Sequence, residues 1–312
     1  MLKGKGYKMN TKIEFITIVG RANAGKSSLL NALVGEKIAA VSGKPQTTRT
    51  RITGIVTRND TQYVFMDTPG VHRAKTKLGE HMNKAVKDSV TDVDLILMVA
   101  DVTKKIGENE HNIIKSFHRN DNVILILNKI DLVKNKEEIA VKIAEFIPLY
   151  DFKAVIPISV LTNDGLDIVR EEAEKYAVDG PHYFPDDKFT DQPEQVLAAE
   201  MIREKILNLM RDEIPHGIAV TIEKMSERVN KCGEDILDIS AVLYCERESH
   251  KGMLIGKGGA MLKRIGQLAR EELESFFEIK VNLQCRVKVK EDWRNKEGLI
   301  RSFGLSNNST NM

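Results

Sequence analysis

Eight residues near the N-terminus have the composition of a phosphate-binding loop. Gly20, Gly25, Lys26 and Ser27 fit the pattern G-x-x-x-x-G-K-S, between a predicted strand and a predicted helix. Glycines let backbone N–H groups converge on phosphate oxygens, and the helix N-terminus adds a favourable dipole. We expect Lys26 to reach the β- and γ-phosphates and the Ser27 hydroxyl to ligate Mg²⁺. A glycine-rich turn that matches by chance is the alternative.

Two more motifs, each at the end of a predicted strand, add the chemistry of a GTP site. In DTPG, Asp67 can hold Mg²⁺ through water, and the Gly70 N–H can contact the γ-phosphate. In NKID, Asp131 can accept hydrogen bonds from N1–H and the N2 amine of guanine, whereas adenine presents a different edge. We expect Asn128 to tie this loop to the phosphate loop and the stem of Lys129 to cover the base.

The predicted nucleotide site lies at the carboxyl ends of the strands, the edge where open α/β sheets bind ligands. A further segment, 159–161, follows the last predicted strand at the spacing where a backbone N–H recognises guanine O6. Together and in this order, the motifs indicate a GTP site far more specifically than any one of them alone. The residues predicted to bind GTP are Gly20, Arg21, Ala22, Asn23, Ala24, Gly25, Lys26, Ser27, Ser28, Asp67, Thr68, Pro69, Gly70, Val71, Asn128, Lys129, Ile130, Asp131, Ser159, Val160 and Leu161.

The loop 44–51, KPQTTRTR, has the sequence of a nucleotide-sensitive switch. A threonine here can close on Mg²⁺ while the γ-phosphate is present and release it after hydrolysis. We select Thr48, directly before Arg49, with Thr47 as the alternative. A basic, solvated connection is the other interpretation of the loop. The predicted Mg²⁺ ligands are Ser27, Thr48 and Asp67.

The residue after Gly70 predicts that hydrolysis is slow without additional help. Val71 stands where many GTPases carry a water-orienting glutamine, and valine cannot orient water by hydrogen bonding. Asn23 can help to hold a monovalent cation against the phosphates, so we expect K⁺ to stimulate hydrolysis; in the alternative, Asn23 only caps the loop. His72 and Arg73 are predicted to be solvated. The predicted catalytic residues are Lys26, Thr48, Gly70 and Asn23.

Strands and helices alternate through the first half of the chain and position these motifs. Apolar runs typical of buried strands lie at 13–20, 93–100, 122–127 and 154–158. Amphipathic stretches typical of helices lie near 78–90, 107–120 and 135–147. The β-rich runs 52–57 and 62–67 predict a hairpin. This alternation indicates an α/β domain with a mostly parallel, doubly wound sheet.

The composition changes after residue 178. Residues 179–193 hold three of the eight prolines and predict a linker. Apolar residues then recur at helical spacing from Val196, and strands are predicted at 218–229 and 235–245. Strict alternation predicts a third strand at 281–290. The second domain is therefore predicted to be a smaller α+β domain.

A glycine-rich turn in this second domain has the pattern of a nucleic-acid clamp. Residues 255–259 fit I-G-x-x-G before an amphipathic helix, and such a turn lets backbone groups approach about four nucleotides of a single strand. Residues 251–270 hold five Lys or Arg and no Asp or Glu. A helix-entry turn beside a solvated face is the alternative; Trp293 and Phe303 can either stack on bases or pack. The predicted RNA contacts are Ile255, Gly256, Lys257, Gly258, Gly259, Lys251, Lys263, Arg264 and Arg270.

Composition excludes several classes of protein. The 312 residues are 42% hydrophobic and 29% charged, which excludes a wholly disordered, collagenous or coiled-coil chain. The net charge is +2, with +4 in residues 1–180 and −2 in 181–312, which excludes a uniformly basic surface. Three cysteines without CxxC spacing favour a reducing cytosol over a disulfide framework or a zinc site. No signal peptide or membrane-spanning run is predicted, and translation can start at Met1 or Met9.

The motifs GRANAGKS, PQTTRTR, DTPGV and NKID, followed by a linker and IGKGG, resemble those of the Era family, the bacterial KH-domain GTPases. The resemblance extends from about residue 13 to residue 303 and includes SLLNALVGEKIAAVS and AAEMIREK. It implies a P-loop GTPase domain followed by a type II KH domain. The family's usual R-P-N-V-G-K-S-T is RANAGKSS in this chain, and its usual Ser-Ala is Ser159-Val160; both changes keep the backbone donors.

The resemblance implies a GTPase that binds the 3′ end of small-subunit ribosomal RNA and assists maturation of the small subunit, the 30S particle. It implies a cytoplasmic protein with peripheral contact at the inner face of the cell membrane; we expect a monomer that uses GTP, GDP and Mg²⁺. The alternatives are a GTP-gated RNA-binding module with incidental turnover and a membrane-associated signalling GTPase. The predicted domains are an N-terminal extension (1–12), a GTPase domain (13–178), a linker (179–193), a KH RNA-binding domain (194–303) and a disordered tail (304–312).

Overall fold

The computed structural model describes residues 11–44, 46–70, 76–88, 93–210 and 217–306. These residues divide into two compact units, each drawn from separate segments of the chain. The first falls within Met1–Glu36, Ile52–Asp67 and Lys87–Asp191, and the second within Lys37–Arg51, Thr68–Val86 and Gln192–Met312. The domain limits drawn from the sequence stay a prediction.

The first unit is built on one mostly parallel sheet. Its strands are β1 (Lys12–Gly20), β2 (Ile52–Arg58), β3 (Thr61–Asp67), β4 (Leu95–Asp101), β5 (Val123–Asn128), β6 (Ala154–Pro157) and β7 (Val178–Asp179). Their order is β2-β3-β1-β4-β5-β6, with β2 antiparallel to β3 and the short β7 antiparallel to the start of β1. Every residue of β4 and β5 is buried, as expected for parallel strands covered on both faces.

The second unit contains a three-stranded sheet. The strands are β8 (Ala219–Val229), β9 (Asp235–Cys245) and β10 (Lys280–Val289). The central β9 is antiparallel to β8 and parallel to β10. Along most of β10, exposed residues alternate with half-buried ones, which is the period of a strand with one solvated face. The predicted fold class, an α/β domain followed by a smaller α+β domain, is confirmed.

The helices among the described residues are α1 (Lys26–Val34), α2 (Lys77–Asp88), α3 (Glu108–Ile114), α4 (Lys136–Phe146), α5 (Leu166–Ala173), α6 (Glu194–Leu209), α7 (Glu248–Ile255), α8 (Ala260–Phe277) and α9 (Glu297–Ser302). Helix α1 ends because Gly35 adopts a left-handed φ of 90° and its N–H returns to the Asn31 carbonyl at 2.8 Å. In the part of the chain described here, no helix is both long enough and apolar enough to cross a membrane.

The core of the second unit lies between its sheet and two long helices. Ile202 and Ile206 of α6 and Ile265, Ala269 and Leu273 of α8 are fully buried. Within each helix these residues recur at intervals of four, so they lie on one face of the helix. Residues at the helical spacing predicted from the sequence therefore pack in this core.

Two buried arginines hold the segment 37–51 against other residues of the second unit. The buried guanidinium of Arg203, on α6, donates a hydrogen bond to the Thr47 carbonyl. Arg49 Nη1 donates to the Ile218 carbonyl at 2.5 Å, and its guanidinium carbon lies 5.6 Å from the centre of the Trp293 ring. Because both arginines are buried, these contacts hold the segment more firmly than exposed ion pairs would.

Candidate functional site

The phosphate loop connects the end of β1 to the start of α1. Gly25 has φ of 102°, in the region that favours glycine, and a Cβ added there would collide with the Asn128 amide. A Cβ at Gly20 would collide with the Val99 carbonyl. The two glycines of the motif are therefore required by the close approach of Val99 in β4 and Asn128 at the end of β5.

Two side chains of the first turn of α1 face the end of β3. Lys26 is buried, and its Nζ donates to the Arg21 carbonyl at 3.1 Å. Burial lowers the pKa of Lys26, and the Asp67 carboxylate opposes that shift. Ser27 Oγ donates to Asp67 Oδ2 at 2.6 Å. A hydroxyl and a carboxylate so close together are the oxygen ligands that Mg²⁺ prefers.

Asn128, the last residue of β5, links three segments of the site. Its side-chain amide donates to the Ala24 carbonyl in the phosphate loop at 3.0 Å. Its Oδ1 accepts hydrogen bonds from the backbone N–H groups of Lys129, at 2.8 Å, and Val160, at 3.2 Å. Because Asn128 is buried, these bonds fix the base loop against the phosphate loop.

The carboxylate expected to select guanine is oriented by a neighbouring hydroxyl. Ser159 Oγ donates to Asp131 Oδ1 at 2.6 Å, and Ser159 is buried. The backbone of Ser159 exchanges two hydrogen bonds of 3.0 Å with Asp164, which closes a tight turn after β6. Asp131 itself is exposed. Its carboxylate is thus accessible to a base and restricted in direction.

The other residues of the predicted site fall into two groups. The structure brings 20–28, Asp67, 128–131 and 159–161 to the carboxyl edge of the first unit's sheet. Thr68, Pro69 and Gly70 belong to the second unit, as does Thr48. Val71, His72 and Arg73 lie outside the described residues, as does Pro45 of the predicted switch.

The two threonines considered for the switch have different surroundings. Thr47 Oγ1 lies 2.7 Å from Ser42 Oγ and donates to the Lys44 carbonyl at 2.6 Å. The Thr47 hydroxyl is therefore engaged inside its own loop. Thr48 is buried, with 7% of its surface exposed. The choice of Thr48 over Thr47 stays a prediction.

The glycine turn of the second unit joins α7 to α8. Gly256, Gly258 and Gly259 have φ of 71°, 60° and 82°, and a Cβ at Gly256 would collide with Met261. Such positive values leave backbone groups open to a ligand at little steric cost. The basic side chains that surround the turn are exposed at Lys257, Lys263, Arg264 and Arg270 and half-buried at Lys251.

The two aromatic residues considered for base stacking are packed instead. Trp293 is 0% exposed, and its Nε1 donates to the Gly217 carbonyl at 2.9 Å. The Phe303 ring stacks on Tyr244 at 4.6 Å and meets the edge of Trp293 at 5.4 Å. Trp293 has no free face for a base, so packing is its role.

Comparison with known proteins assigns the chain to a family. Residues 15–129 match the family model of the 50S ribosome-binding GTPases, and residues 213–294 match that of the KH domain. GTPase Era of Clostridioides difficile is 49% identical over 95% of this chain and 99% of that protein. GTPase Era of Ruminiclostridium cellulolyticum is 45% identical over 96% of this chain and 99% of that protein.

The chain belongs to the Era family of GTPases.

Solved structures of the family agree in fold. A crystal structure of Era with MgGDPNP and nucleotides 1506–1542 of 16S ribosomal RNA is 36% identical, with a TM-score of 0.89 over 95% of this chain and 99% of that one. A variant of Aquifex aeolicus Era bound to GDP and AlF₄⁻ is 36% identical, with a TM-score of 0.90 over 95% of this chain and 100% of that one. The family resemblance inferred from the motifs is confirmed, and the chain is a GTPase.

Sequence reasoning missed one carboxylate of this Era-family site. Lys129 adopts a left-handed φ of 72°, and its Nζ donates to the Asn23 carbonyl at 2.8 Å and to Asp101 Oδ2 at 2.7 Å. Burial alone raises the pKa of Asp101, but hydrogen bonds from Lys129 and Thr103 outweigh burial and hold that pKa below its usual range. The available signal was that Asp101 ends β4 at the same sheet edge.

Proposed function

We propose that this GTPase binds the 3′ end of small-subunit ribosomal RNA through its KH unit and assists maturation of the small subunit. Nucleotide binding, the first part of this proposal, is supported by the hydrogen-bond network centred on Asn128, which joins the phosphate loop to the base loop. RNA binding, the second part of the proposal, is supported by the glycine turn with its exposed basic side chains. It is also supported by the related Era crystallised with nucleotides 1506–1542 of 16S ribosomal RNA.

The residues of the first unit divide the work of holding GTP and GDP. Asp131, restrained by Ser159, accepts hydrogen bonds from guanine, and the stem of Lys129 covers the base. Lys26 and the backbone N–H groups of the phosphate loop neutralise the phosphates. Ser27 and Asp67, with Thr48 from the switch, hold Mg²⁺. That ion would neutralise negative charge on the phosphate oxygens. The related Era was crystallised with MgGDPNP.

A switch loop gates this reaction through contacts that already exist in the second unit. Glu204, on α6, accepts a hydrogen bond from Val41 N at 2.8 Å and pairs with Lys37 at 2.7 Å. Lys37 also pairs with Glu272 of α8, the helix that follows the glycine turn. A movement of 37–51 within the second unit therefore strains its contacts with both helices. Gly70 responds to the γ-phosphate in the same cycle.

Potassium stimulates hydrolysis in this proposal. Asn23 carries an amide oxygen in the phosphate loop, where a monovalent cation can supply charge that other GTPases take from an arginine. We expect hydrolysis to be several-fold faster in K⁺ than in Na⁺ buffers, and the difference to disappear in Asn23→Ala. Equal rates in the two salts for the unmodified protein exclude this part of the proposal.

Crosslinking of bound RNA in cells tests the RNA assignment most directly. The chain is expected to recover fragments from the 3′ end of small-subunit ribosomal RNA. Gly256→Asp, which clashes with Met261 and adds a negative charge, is expected to lose them. If ribosomal RNA is not enriched with the unmodified chain, the assignment is wrong. Nucleotide binding by the variant controls for folding of the first unit.

A GTP-gated RNA-binding module is the second candidate function, and Val71 favours it, because valine cannot orient the attacking water. Single-turnover hydrolysis with and without RNA separates the two. Stimulation by RNA supports an assembly GTPase whose turnover matters, and no stimulation supports the module.

We further infer a cytoplasmic monomer with peripheral contact at the inner face of the membrane. Cell fractionation and light scattering test this localisation and this oligomeric state.

A further inference from the structure

Asp101, the last residue of β4, is a buried carboxylate at the same sheet edge as the nucleotide site. It lies outside the phosphate-loop, DTPG and NKID motifs. In the parallel ladder of β4 and β5 it is paired with Asn128, and the next N–H, of Val102, donates to the Asn128 carbonyl at 3.0 Å. The strand register therefore places Asp101 beside the start of the base loop, where Lys129 follows Asn128.

The two oxygens of the Asp101 carboxylate have different partners. Oδ1 accepts hydrogen bonds from the backbone N–H of Thr103 at 3.0 Å and from the Thr103 hydroxyl at 2.6 Å. The bond to the backbone N–H closes a turn of the chain directly after β4. Oδ2 instead accepts a hydrogen bond from Lys129 Nζ at 2.7 Å. The turn needs one oxygen only, so a structural role explains Oδ1 but not the contact of Oδ2.

Lys129 is held at both of its ends. Its backbone has a left-handed φ of 72°, which a residue with a side chain rarely adopts, and the Asn128 Oδ1 accepts its N–H at 2.8 Å. At the other end, Nζ donates to Asp101 and to the Asn23 carbonyl of the phosphate loop, the latter at 2.8 Å. Fixing a long side chain in one position costs rotamer entropy, so it requires favourable contacts, and Asp101 supplies the charged one.

Asp101 and Lys129 form an ion pair that is partly shielded from water. Burial raises the pKa of Asp101, but hydrogen bonds from Lys129 and Thr103 more than reverse that shift, so the carboxylate is ionised at neutral pH. The side chain of Asp101 is 5% exposed and that of Lys129 is 31% exposed. The pair therefore binds more tightly than two fully exposed charges would, although water around the lysine reduces its strength.

We propose that Asp101 is a positioning residue of the GTP site, which holds the stem of Lys129 closed over the guanine base and thereby slows the release of GDP. This inference rests on the proposed function, in which the Lys129 stem covers the base. The base can leave only when that stem moves aside, and the movement breaks the hydrogen bond between the ammonium group and Asp101. The Asn23 carbonyl is a neutral acceptor and would hold the ammonium group less firmly by itself.

Stopped-flow release of a fluorescent GDP, N-methylanthraniloyl-GDP, from the full chain tests the proposal. Displacement by excess unlabelled GDP measures the dissociation rate, and mixing with labelled GDP measures the association rate. Asp101→Asn keeps an oxygen for the turn at Thr103 but removes the charge that faces Lys129. We expect dissociation to be about tenfold faster and association to change by less than about twofold. Asp151→Asn, an exposed position before β6 at the opposite sheet edge, is the matched control and should change neither rate.

A second substitution separates positioning from a structural role. Lys129→Met keeps an apolar stem but removes the ammonium group, so it should also speed dissociation about tenfold. Because Asp101 acts through Lys129, adding Asp101→Asn to Lys129→Met should change the dissociation rate by less than about twofold. If Asp101 served only the fold of the turn, the effects of the two substitutions would multiply instead.

The possible failures have different meanings. If the unmodified chain binds no labelled GDP, the proposed GTP site is wrong and this inference falls with it. If GDP binds but Lys129→Met releases it at the unmodified rate, Lys129 does not cover the base. If Lys129→Met speeds release and Asp101→Asn does not, or if their effects multiply, only the role of Asp101 is overturned.

Thr103→Val decides the question if Asp101→Asn does not fold. Thr103 is exposed, and valine removes the hydroxyl that directs the Asp101 carboxylate while it keeps the backbone N–H. We expect this variant to release GDP a few-fold faster. An unchanged dissociation rate in Thr103→Val then overturns the proposal.

Discussion

In the nucleotide site of the first unit the polar side chains contact one another, whereas around the glycine turn of the second unit most basic side chains extend into solvent. Asn128 makes three hydrogen bonds, and Asp131 is held by Ser159. Lys263 and Arg264, by contrast, are exposed. Only the first arrangement fixes the direction of its side chains before a ligand arrives.

The difference fits the ligand that each region is proposed to recognise. A nucleotide is small and rigid, so each donor has one correct position, and a network that holds it in advance reduces the entropy lost on binding. A single strand of RNA is long and adaptable, so flexible lysine and arginine side chains can follow its backbone. Substitutions should therefore have large effects in the first region and smaller, graded effects in the second.

The largest effect is expected from Lys26→Ala. This change removes a buried cation from the phosphate site, and loss of one such electrostatic group commonly costs about a thousandfold in rate. Phosphate release at saturating GTP measures it. Lys136→Ala, at the exposed first residue of α4, is the matched control and should retain full activity. A Lys26→Ala rate within tenfold of the unmodified protein contradicts the assigned role.

The next effect in size concerns the base. Asp131→Asn exchanges a carboxylate for an amide and loses charge-assisted hydrogen bonds to guanine, which should weaken GDP binding about a hundredfold. Xanthine carries a carbonyl in place of the N2 amine, so the new amide N–H should improve binding of xanthosine diphosphate. Equilibrium titration with both nucleotides measures this exchange. If preference for guanine persists, Asp131 does not contact the base edge.

An intermediate effect is expected at the glycine turn. Gly256→Asp forces a left-handed φ on a residue with a side chain, collides with Met261 and places a negative charge near the RNA backbone. We expect RNA affinity to fall about thirtyfold. Gly266→Asp adds the same charge on α8 at a position where a Cβ meets no atom within 4 Å. Equal losses in the two variants would assign the effect to charge rather than to the shape of the turn.

The smallest effect is expected from Lys263→Ala. An exposed lysine that contacts one phosphate contributes a few-fold to affinity and about 0.7 to the salt slope of single-strand binding. Fluorescence anisotropy at several salt concentrations measures both quantities. Lys280→Ala, an exposed lysine of β10 paired with Glu234, is the comparison. A hundredfold loss in Lys263→Ala would mean that this region is as pre-arranged as the nucleotide site.

The elements of the fold that could be predicted are those encoded by patterns among residues close together in the sequence. The apolar runs of β4 and β5 and the alternation in β10 predicted strands because burial imposes those periods. Helix α7 was missed because its sequence has no periodic apolar face, and only Leu254 is buried in it. A helix of eight residues beside a glycine turn takes its stability from packing rather than from pattern.

Contacts between distant residues could not be predicted. Arg203 and Thr47 are separated by 156 residues, and no local pattern in KPQTTRTR indicates that this loop packs with α6. In the candidate site, the motifs identified Asn128, Lys129 and Asp131, since each needs a particular side-chain type. Asp101 stands alone at the end of its strand, and only the fold gives it Lys129 as a partner.

The attachment of segment 37–51 has a consequence for how the chain unfolds. Arg49 is buried against Ile218 and Trp293, and Thr47 is held by Arg203, so the segment loses its partners when the second unit melts. The backbone amides of this segment should therefore exchange with deuterium at the rate set by opening of the second unit. This holds although, in the sequence, the segment comes between β1 and β2 of the first unit. A fragment cut at residue 178 would release the segment altogether. The boundary between the two units thus crosses the sequence on both sides of this segment, after Glu36 and after Arg51, and again inside DTPG, after Asp67.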